Sequence, residues 1–161
     1  MMKPIPDSVR DHINNAEYYL TAAGKLPSPT QDAAHILLLL IGWENITIAD
    51  EELNAWATGE DVDKKIYKDH ARKFKNAPEV LRVIVGSSGT PAKEVRFQTG
   101  RDFEELRLAC QYGSNTESKD VAKIFSRGWH ADGLERELGN KIKWLRTILG
   151  AYKDAGYDFS P

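Results

Sequence analysis

A stretch that is apolar on nearly every side constrains the fold of this chain more than any other feature. Residues 33–48 read AAHILLLLIGWENITI, and Glu44 is the only acidic side chain among them. A helix that is hydrophobic all round is normally buried inside a larger protein. The apolar run at residues 33–41 is far too short to span a bilayer. The stretch therefore predicts the central helix of a soluble helical bundle.

Helical periodicity marks most of the remaining chain, because apolar residues recur there every three or four positions. The last stripe has near-heptad spacing, which suits packing against another helix of this chain or of a partner chain. We predict long helices at residues 7–23, 29–48, 60–76, 101–112 and 129–155, and short ones at residues 50–57, 78–85 and 121–128. The fold class predicted for residues 1–161 is a single all-α domain.

The structure of residues 86–100 is left open by the sequence. Gly86-Ser-Ser-Gly-Thr-Pro91 is a clear loop, and residues 94–97 alternate between polar and apolar side chains as a strand does. A lone strand has no hydrogen-bonding partner. We therefore expect residues 94–97 to be irregular or weakly helical.

Composition limits the functional classes. The 161 residues carry a formal net charge of −2, so bulk charge gives no nonspecific affinity for nucleic acid. A local basic patch remains compatible with this balance. Cys110 is the single cysteine, which excludes an intramolecular disulfide, and its place on an apolar stripe predicts a buried thiol. The N-terminus lacks the apolar core of a signal peptide, so we expect a cytoplasmic protein without membrane contact.

No motif for a metal or a cofactor is present. The four histidines lack metal-ligand spacing, and the sequence contains no H-E-x-x-H, no acidic calcium loop, no Walker loop and no G-x-G-x-x-G. We therefore expect no metal and no cofactor.

Three polar side chains fall on apolar helical stripes, namely Glu44, His70 and Arg107. Arg107 shares one helix face with Phe103 and Cys110. A charged group on such a face costs free energy unless a partner of opposite charge meets it. The three groups are thus either a buried structural network or a functional site, in which His70 would serve as general base or acid.

A basic group follows His70 in the sequence. Arg72, Lys73 and Lys75 lie within one turn of one another. Together they predict a phosphate-binding patch, since ammonium and guanidinium groups bind phosphate oxygens. The alternative is an ordinary solvated basic face.

The order of these residues resembles the HEPN superfamily of all-α domains, and more narrowly its AbiV-type branch. The resemblance rests on Glu44 near the end of an apolar helix, on His70-Ala71-Arg72-Lys73, and on Arg107-x4-Tyr112. It covers residues 33–112. Asn45 and Ile48 depart from the second acid and the lysine of the branch's first motif, and Tyr112 replaces the histidine of active HEPN members.

The resemblance implies a homodimer that acts in phage defence or stress and binds or cleaves RNA without metal. Arg107 would bind the phosphate, His70 would act as base, Tyr112 would act as acid, and Glu44 would orient His70 or Arg107. The alternative is a catalytically inactive helical module that binds a protein partner or regulator, with the same residues in a buried network. The departures at Asn45, Ile48 and Tyr112 favour that alternative.

Overall fold

The structure is a computed structural model that describes residues 3–26, 32–78, 80–84, 93–112 and 132–160. Helices predominate in these residues, which confirms the predicted all-α class. The helices are α1 (Asp7–Gly24), α2 (Asp32–Thr58), α3 (His70–Lys73), α4 (Gly100–Tyr112) and α5 (Asp132–Asp154). A 3₁₀ helix, Lys64–Tyr67, precedes α3. Two strands, β1 (Val80–Ile84) and β2 (Lys93–Phe97), lie between α3 and α4.

Helix α2 is the central element, as the apolar stretch predicts, and it packs against α1, α4 and α5. Leu39, Leu40 and Ile46 are completely buried along it. The predicted break between residues 48 and 50 is wrong, because α2 is continuous over 27 residues. Ile48 and Ala49 are themselves buried, so packing outweighs the weak helix propensity of the β-branched residues before them.

The continuous α2 is longer than the apolar run at residues 33–41, which alone is too short to span a bilayer. By length and composition alone, Ala33–Thr58 is sufficient to cross a membrane, and half of its most apolar window is buried inside the fold. The expectation of a cytoplasmic protein without membrane contact stays a prediction.

The helix predicted at residues 60–76 is wrong, because two short elements replace it. Asp63 accepts a hydrogen bond from the Lys65 backbone N–H at 3.0 Å, and Asp69 accepts one from the Arg72 N–H at 3.4 Å. Aspartate side chains that bond to nearby backbone groups compete with a continuous helix. Each aspartate therefore begins a new short element.

The helix predicted at residues 78–85 is also wrong, as is the irregular structure predicted for residues 94–97. Strands β1 and β2 form an antiparallel pair, with Val80 opposite Phe97 and Ile84 opposite Lys93. The alternation in residues 94–97 is thus that of a strand, and β1 supplies the partner that the sequence did not reveal.

The first and last helices bury the stripes that the sequence predicts. Val9 and Ile13 of α1 are completely buried, as are Leu134, Leu138 and Leu145 of α5. The α5 stripe packs on α1 and α2 of the same chain. The predicted homodimer stays a prediction, and the short helix predicted at residues 121–128 lies outside the described residues.

The two ends of the described chain are joined. The Ile5 N–H donates to the Asp158 carbonyl, and the Ser160 N–H donates to the Ile5 carbonyl, both at 2.8 Å. Trp56 packs edge-on against Tyr152 and Tyr157 beside this contact. The first and last described segments therefore close the bundle on one side of α2.

Candidate functional site

Glu44 lies at the centre of a cluster of three basic side chains. Its residue surface is 7% exposed. Its Oε1 is 2.9 Å from His70 Nδ1 and 2.8 Å from Arg107 Nε, and its Oε2 is 3.6 Å from Lys73 Nζ. The structure thus brings together three of the four predicted catalytic residues and adds Lys73 to them. We call Glu44, His70, Lys73 and Arg107 the Glu44 cluster.

Close contact between α3 and α4 makes the cluster possible. A Cβ on Gly100 would lie 2.0 Å from the Ala71 carbonyl oxygen, so only glycine fits where the two helices meet. The Thr47 hydroxyl donates to the Lys73 carbonyl at 2.8 Å and fixes the end of α3 against α2. These contacts let side chains from α3 and α4 reach one carboxylate on α2.

The N-terminus of α4 is capped by Thr99 and Asp102. Asp102 N–H donates to Thr99 Oγ1 at 3.1 Å, and the Thr99 N–H donates to Asp102 Oδ2 at 2.9 Å. Burial acts to raise the pKa of Asp102, but hydrogen bonds from the Thr99 and Gln98 backbone N–H groups lower it overall. This reciprocal cap fixes where α4 begins, and hence which face carries Arg107.

Lys73 is placed differently from its predicted neighbours. Arg72 and Lys75 are exposed, whereas Lys73 is buried and its Nζ also donates to the Tyr67 carbonyl at 3.3 Å. The alternative that all three form one solvated basic face is therefore wrong for Lys73. The sequence contained the signal, since Lys73 lies three residues after His70 and so shares its helical face.

The charges of the Glu44 cluster do not balance. Arg107 and Lys73 are two basic side chains, each of formal charge +1, against one carboxylate, so the formal charge of the cluster is positive before His70 is counted. The Arg107 Nε–H is buried and forms no hydrogen bond, although it lies close to Glu44 Oε1. Arg107 is thus held by charge attraction, and 19% of its side chain stays exposed.

His70 is oriented by Glu44. A carboxylate only accepts hydrogen bonds, so the proton lies on His70 Nδ1, and Nε2 is the free nitrogen of the neutral ring. One-third (33%) of the side chain is exposed. A carboxylate-oriented imidazole with a free Nε2 is the arrangement that general bases use.

A groove runs along the junction of α3 and α4. Its volume is about 540 Å³, and it is lined by Glu51, Asp63, Ile66, Ala71, Arg72, Lys75, Thr99, Gly100 and Arg101. Arg72 Nη1 lies 2.6 Å from Asp63 Oδ2. The Lys65 backbone N–H and the Arg72 guanidinium together lower the pKa of Asp63. The groove brings Arg101 beside the predicted phosphate-binding pair Arg72 and Lys75.

Two further predicted residues lie on α4. Tyr112 is its last residue, and its side chain falls outside the described set. Burial raises the pKa of the Cys110 thiol to about 12, so it is protonated at neutral pH, as expected for a packed rather than a reactive cysteine.

A second polar cluster was missed by the sequence. Glu52 is almost completely buried, and its Oε1 accepts a hydrogen bond from the Tyr67 hydroxyl at 2.6 Å. His12 Nε2 lies 3.8 Å from the same oxygen, and His12 Nδ1 lies 3.1 Å from Asn45 Oδ1. Asn45 Nδ2 donates to the Ile41 carbonyl. We call Glu52, Tyr67, His12 and Asn45 the Glu52 cluster.

The Glu52 cluster is poorly neutralised. Glu52 Oε2 is buried and has no hydrogen-bond partner. Burial and the neighbouring Glu52 carboxylate raise the pKa of Tyr67 to about 12. The sequence missed this cluster because the predicted break after residue 48 removed Glu52 from the helix that carries Glu44.

Within the described residues, no group of three or more His, Cys, Asp or Glu side chains is placed to hold a metal ion. Comparison of the chain with protein-family models, with curated proteins and with solved structures finds no match in any of the three. The resemblance of residues 40–48, 70–73 and 107–112 to the HEPN superfamily therefore stays an expectation.

Proposed function

We propose that this chain is an AbiV-like HEPN endoribonuclease for phage defence or stress, with the Glu44 cluster as its active centre. The observation that carries the proposal is the contact of His70 Nδ1 with Glu44 Oε1, beside Arg107 and Lys73. This places an oriented base next to an excess of positive charge, which is what cleavage of an RNA phosphodiester needs. A homodimer is part of the proposal and rests on the resemblance alone, and a cytoplasmic location is carried over from the sequence analysis as an expectation.

The proposed reaction is an internal transesterification. His70 Nε2 takes the proton of the 2′-hydroxyl, and the 2′-oxygen attacks the adjacent phosphorus. The bond from phosphorus to the 5′-oxygen breaks, and the leaving oxygen takes a proton from the Tyr112 phenol. The products are a 2′,3′-cyclic phosphate and a 5′-hydroxyl end.

Arg107 and Lys73 stabilise the negative charge that grows on the phosphoryl oxygens during this step. Fixed cations in a site that partly excludes water stabilise such charge more than water does. The exposed part of Arg107 is the group that reaches the phosphate. The buried Lys73 makes the electrostatic potential at the site more positive without contacting the phosphate.

The groove at the junction of α3 and α4 is the proposed path of the RNA backbone. Arg72, Lys75 and Arg101 line it, and they would neutralise phosphates one after another. Replacing Arg72 and Lys75 by glutamine should lower the salt dependence of RNA binding by about two units of slope. Exchanging the exposed lysines Lys25 and Lys143 instead removes the same charge and should leave the slope unchanged.

The second candidate function is a catalytically inactive interaction module. It is favoured by the low exposure of the cations, since Lys73 is buried and only 19% of the Arg107 side chain is accessible. In that case the Glu44 cluster is a structural ion network, and the outer helix faces bind a protein partner or regulator.

Cleavage of end-labelled RNA in the presence of EDTA distinguishes the two. The parent protein should cleave, and His70→Ala and Arg107→Ala should each lower the rate at least about 100-fold. His35→Ala is the control, because His35 is also partly exposed and contacts an acidic side chain, Glu135. No cleavage by the folded parent, or equal loss in the control, would contradict the ribonuclease proposal.

A further inference from the structure

A second cavity lies between α2 and α5, apart from the Glu44 cluster. Its volume is about 310 Å³, and it is lined by Trp43, Asn76, Glu137, Asn140, Lys141 and Trp144. Trp144 keeps 53% of its surface exposed, while Trp43 is almost fully buried. The α5 residues recur at three- and four-residue spacing, so one face of the helix lines the cavity. We call it the tryptophan pocket.

The charges around the tryptophan pocket nearly cancel. Lys141 Nζ lies 2.9 Å from Asp50 Oδ2 and 5.9 Å from the centre of the Trp43 ring. Glu137 lies 3.4 Å from the Arg136 guanidinium. Among the described residues that line the pocket, the one basic side chain, Lys141, is paired with Asp50. The other lining groups are two indole rings, two amides and the Glu137 carboxylate, which suit a neutral planar ligand more than a phosphate.

We propose that the tryptophan pocket binds a nucleobase of the RNA substrate, an inference that rests on the proposed ribonuclease function. Every base presents a flat face that stacks on an aromatic side chain. The Asn76 and Asn140 amides offer donors and acceptors to the base edge, as asparagine does for adenine. A cavity of about 310 Å³ is at the small end of ligand pockets, which suits one nucleoside.

The position of the pocket relates it to the active centre. Trp43 directly precedes Glu44 on α2, and Asn76 lies three residues after Lys73. The pocket and the Glu44 cluster therefore share α2 and the segment from α3 to Asn76, while α5 supplies the rest of the pocket and α4 supplies Arg107. A base in the tryptophan pocket would bind the same helix that carries Glu44.

The buried indole N–H of Trp43 adds to this inference. Trp43 Nε1 has no hydrogen-bond partner, and an unpartnered buried donor costs free energy. Trp43 lines the pocket, so an acceptor atom on a bound base would satisfy this donor.

Indole N–H signals in ¹H–¹⁵N spectra test the inference directly. The protein carries His70→Ala, so that no turnover occurs, and the ligands are AMP, GMP, CMP and UMP. The Trp43 and Trp144 signals, assigned with Trp43→Phe and Trp144→Phe, should shift on titration. The Trp56 signal is an internal control and should stay, because that indole donates to the Lys3 carbonyl elsewhere in the fold.

Ribose 5-phosphate is the ligand control, since it has the sugar and phosphate without the base. Equal shifts with this ligand, or no shift with any nucleotide, would overturn the inference. Shifts of the same signals on dilution of the protein alone would also overturn it, because they would assign the face to contact between copies of the chain.

The binding result is independent of catalysis. Base binding with no cleavage by the parent would contradict the ribonuclease proposal and leave the pocket as a nucleotide site. RNA cleavage without base-dependent shifts of the indole N–H signals would overturn only the inference that the tryptophan pocket binds a base. In an active parent, Trp144→Ala should raise KM about ten-fold with little change in kcat, and Tyr18→Ala, an exposed aromatic outside the pocket, should change neither.

Discussion

Helix α2 carries two buried carboxylates, Glu44 and Glu52, and each faces a histidine, yet their surroundings differ. Glu44 meets two basic side chains in addition to His70. Glu52 meets the Tyr67 hydroxyl and, at 3.8 Å, a His12 ring, and its second oxygen has no hydrogen-bond partner. One helix thus supports an electropositive cluster and a hydrogen-bonded cluster that contains no lysine or arginine.

Under the proposed function, the Glu44 cluster is the active centre and the Glu52 cluster has a structural role. Excess positive charge beside an oriented imidazole gives the Glu44 cluster the parts needed to act on a phosphodiester. The Glu52 cluster instead ties α1 and the 3₁₀ helix to α2. Tyr67 joins the two clusters, because its hydroxyl donates to Glu52 and its carbonyl accepts from Lys73 Nζ.

Neutralising each carboxylate gives the largest expected contrast. Glu44→Gln leaves Lys73 and Arg107 without a counter-charge, and breaking a buried ion pair in this way costs about 3–5 kcal/mol. Glu52→Gln keeps an acceptor for Tyr67 and removes an unpartnered charged oxygen, so it should cost about 1 kcal/mol or less. Urea unfolding of both variants measures the difference in the free energy of unfolding. Equal losses of stability would contradict the different surroundings of the two carboxylates.

Separating α3 from α4 should damage only the Glu44 cluster. In Gly100→Ala the new Cβ would collide with the Ala71 carbonyl, at a cost of about 1–3 kcal/mol, and RNA cleavage should fall as His70 and Arg107 move apart. Gly150→Ala is the matched control in α5. That position has open space, so the change should stabilise the protein by about 0.5–1 kcal/mol. A stable, active Gly100→Ala would contradict the contact.

Removing the Tyr67 hydroxyl should have the smallest effect and a distinct pH dependence. The pKa of Tyr67 is raised to about 12 in the fold, above the ordinary value of 10. Its contribution to stability is therefore full below about pH 10 and is lost as the pH rises towards 12.

Tyr67→Phe should cost about 1 kcal/mol near neutral pH, because Glu52 loses a hydrogen bond. Between pH 10 and 12 the free energy of unfolding should fall less steeply in this variant than in the parent. Parallel pH curves for the two proteins would show that Tyr67 is not held by Glu52.

The centre of the candidate site could be predicted because the spacing of apolar residues along a helix shows which face is buried. Glu44 and Arg107 each interrupt an apolar stripe, and unlike charges on buried faces must meet. His70 was chosen from the stripe of a helix at residues 60–76, which two short elements replace in the structure. The spacing of three residues from His70 predicts that Lys73 shares the helical face of His70, but the charge of Lys73 favoured a solvated position.

The missed features depend on contacts between distant segments. The strand at residues 93–97 needed β1 as a partner, and no local pattern reveals which segment supplies it. The Glu52 cluster needed α2 to continue past residue 48, which packing of Ile48 and Ala49 decides rather than intrinsic propensity.

RNA cleavage in EDTA by His70→Gln, by His12→Gln and by the parent protein tests whether the Glu44 cluster is the active centre. Both changes remove a histidine that faces a buried carboxylate of α2. We expect the cleavage rate of His70→Gln to be at least about 100-fold below that of the parent. The rate of the folded His12→Gln should stay within about three-fold of the parent. Equal activity of the two variants, or an inactive parent, would contradict the assignment of the Glu44 cluster as the active centre.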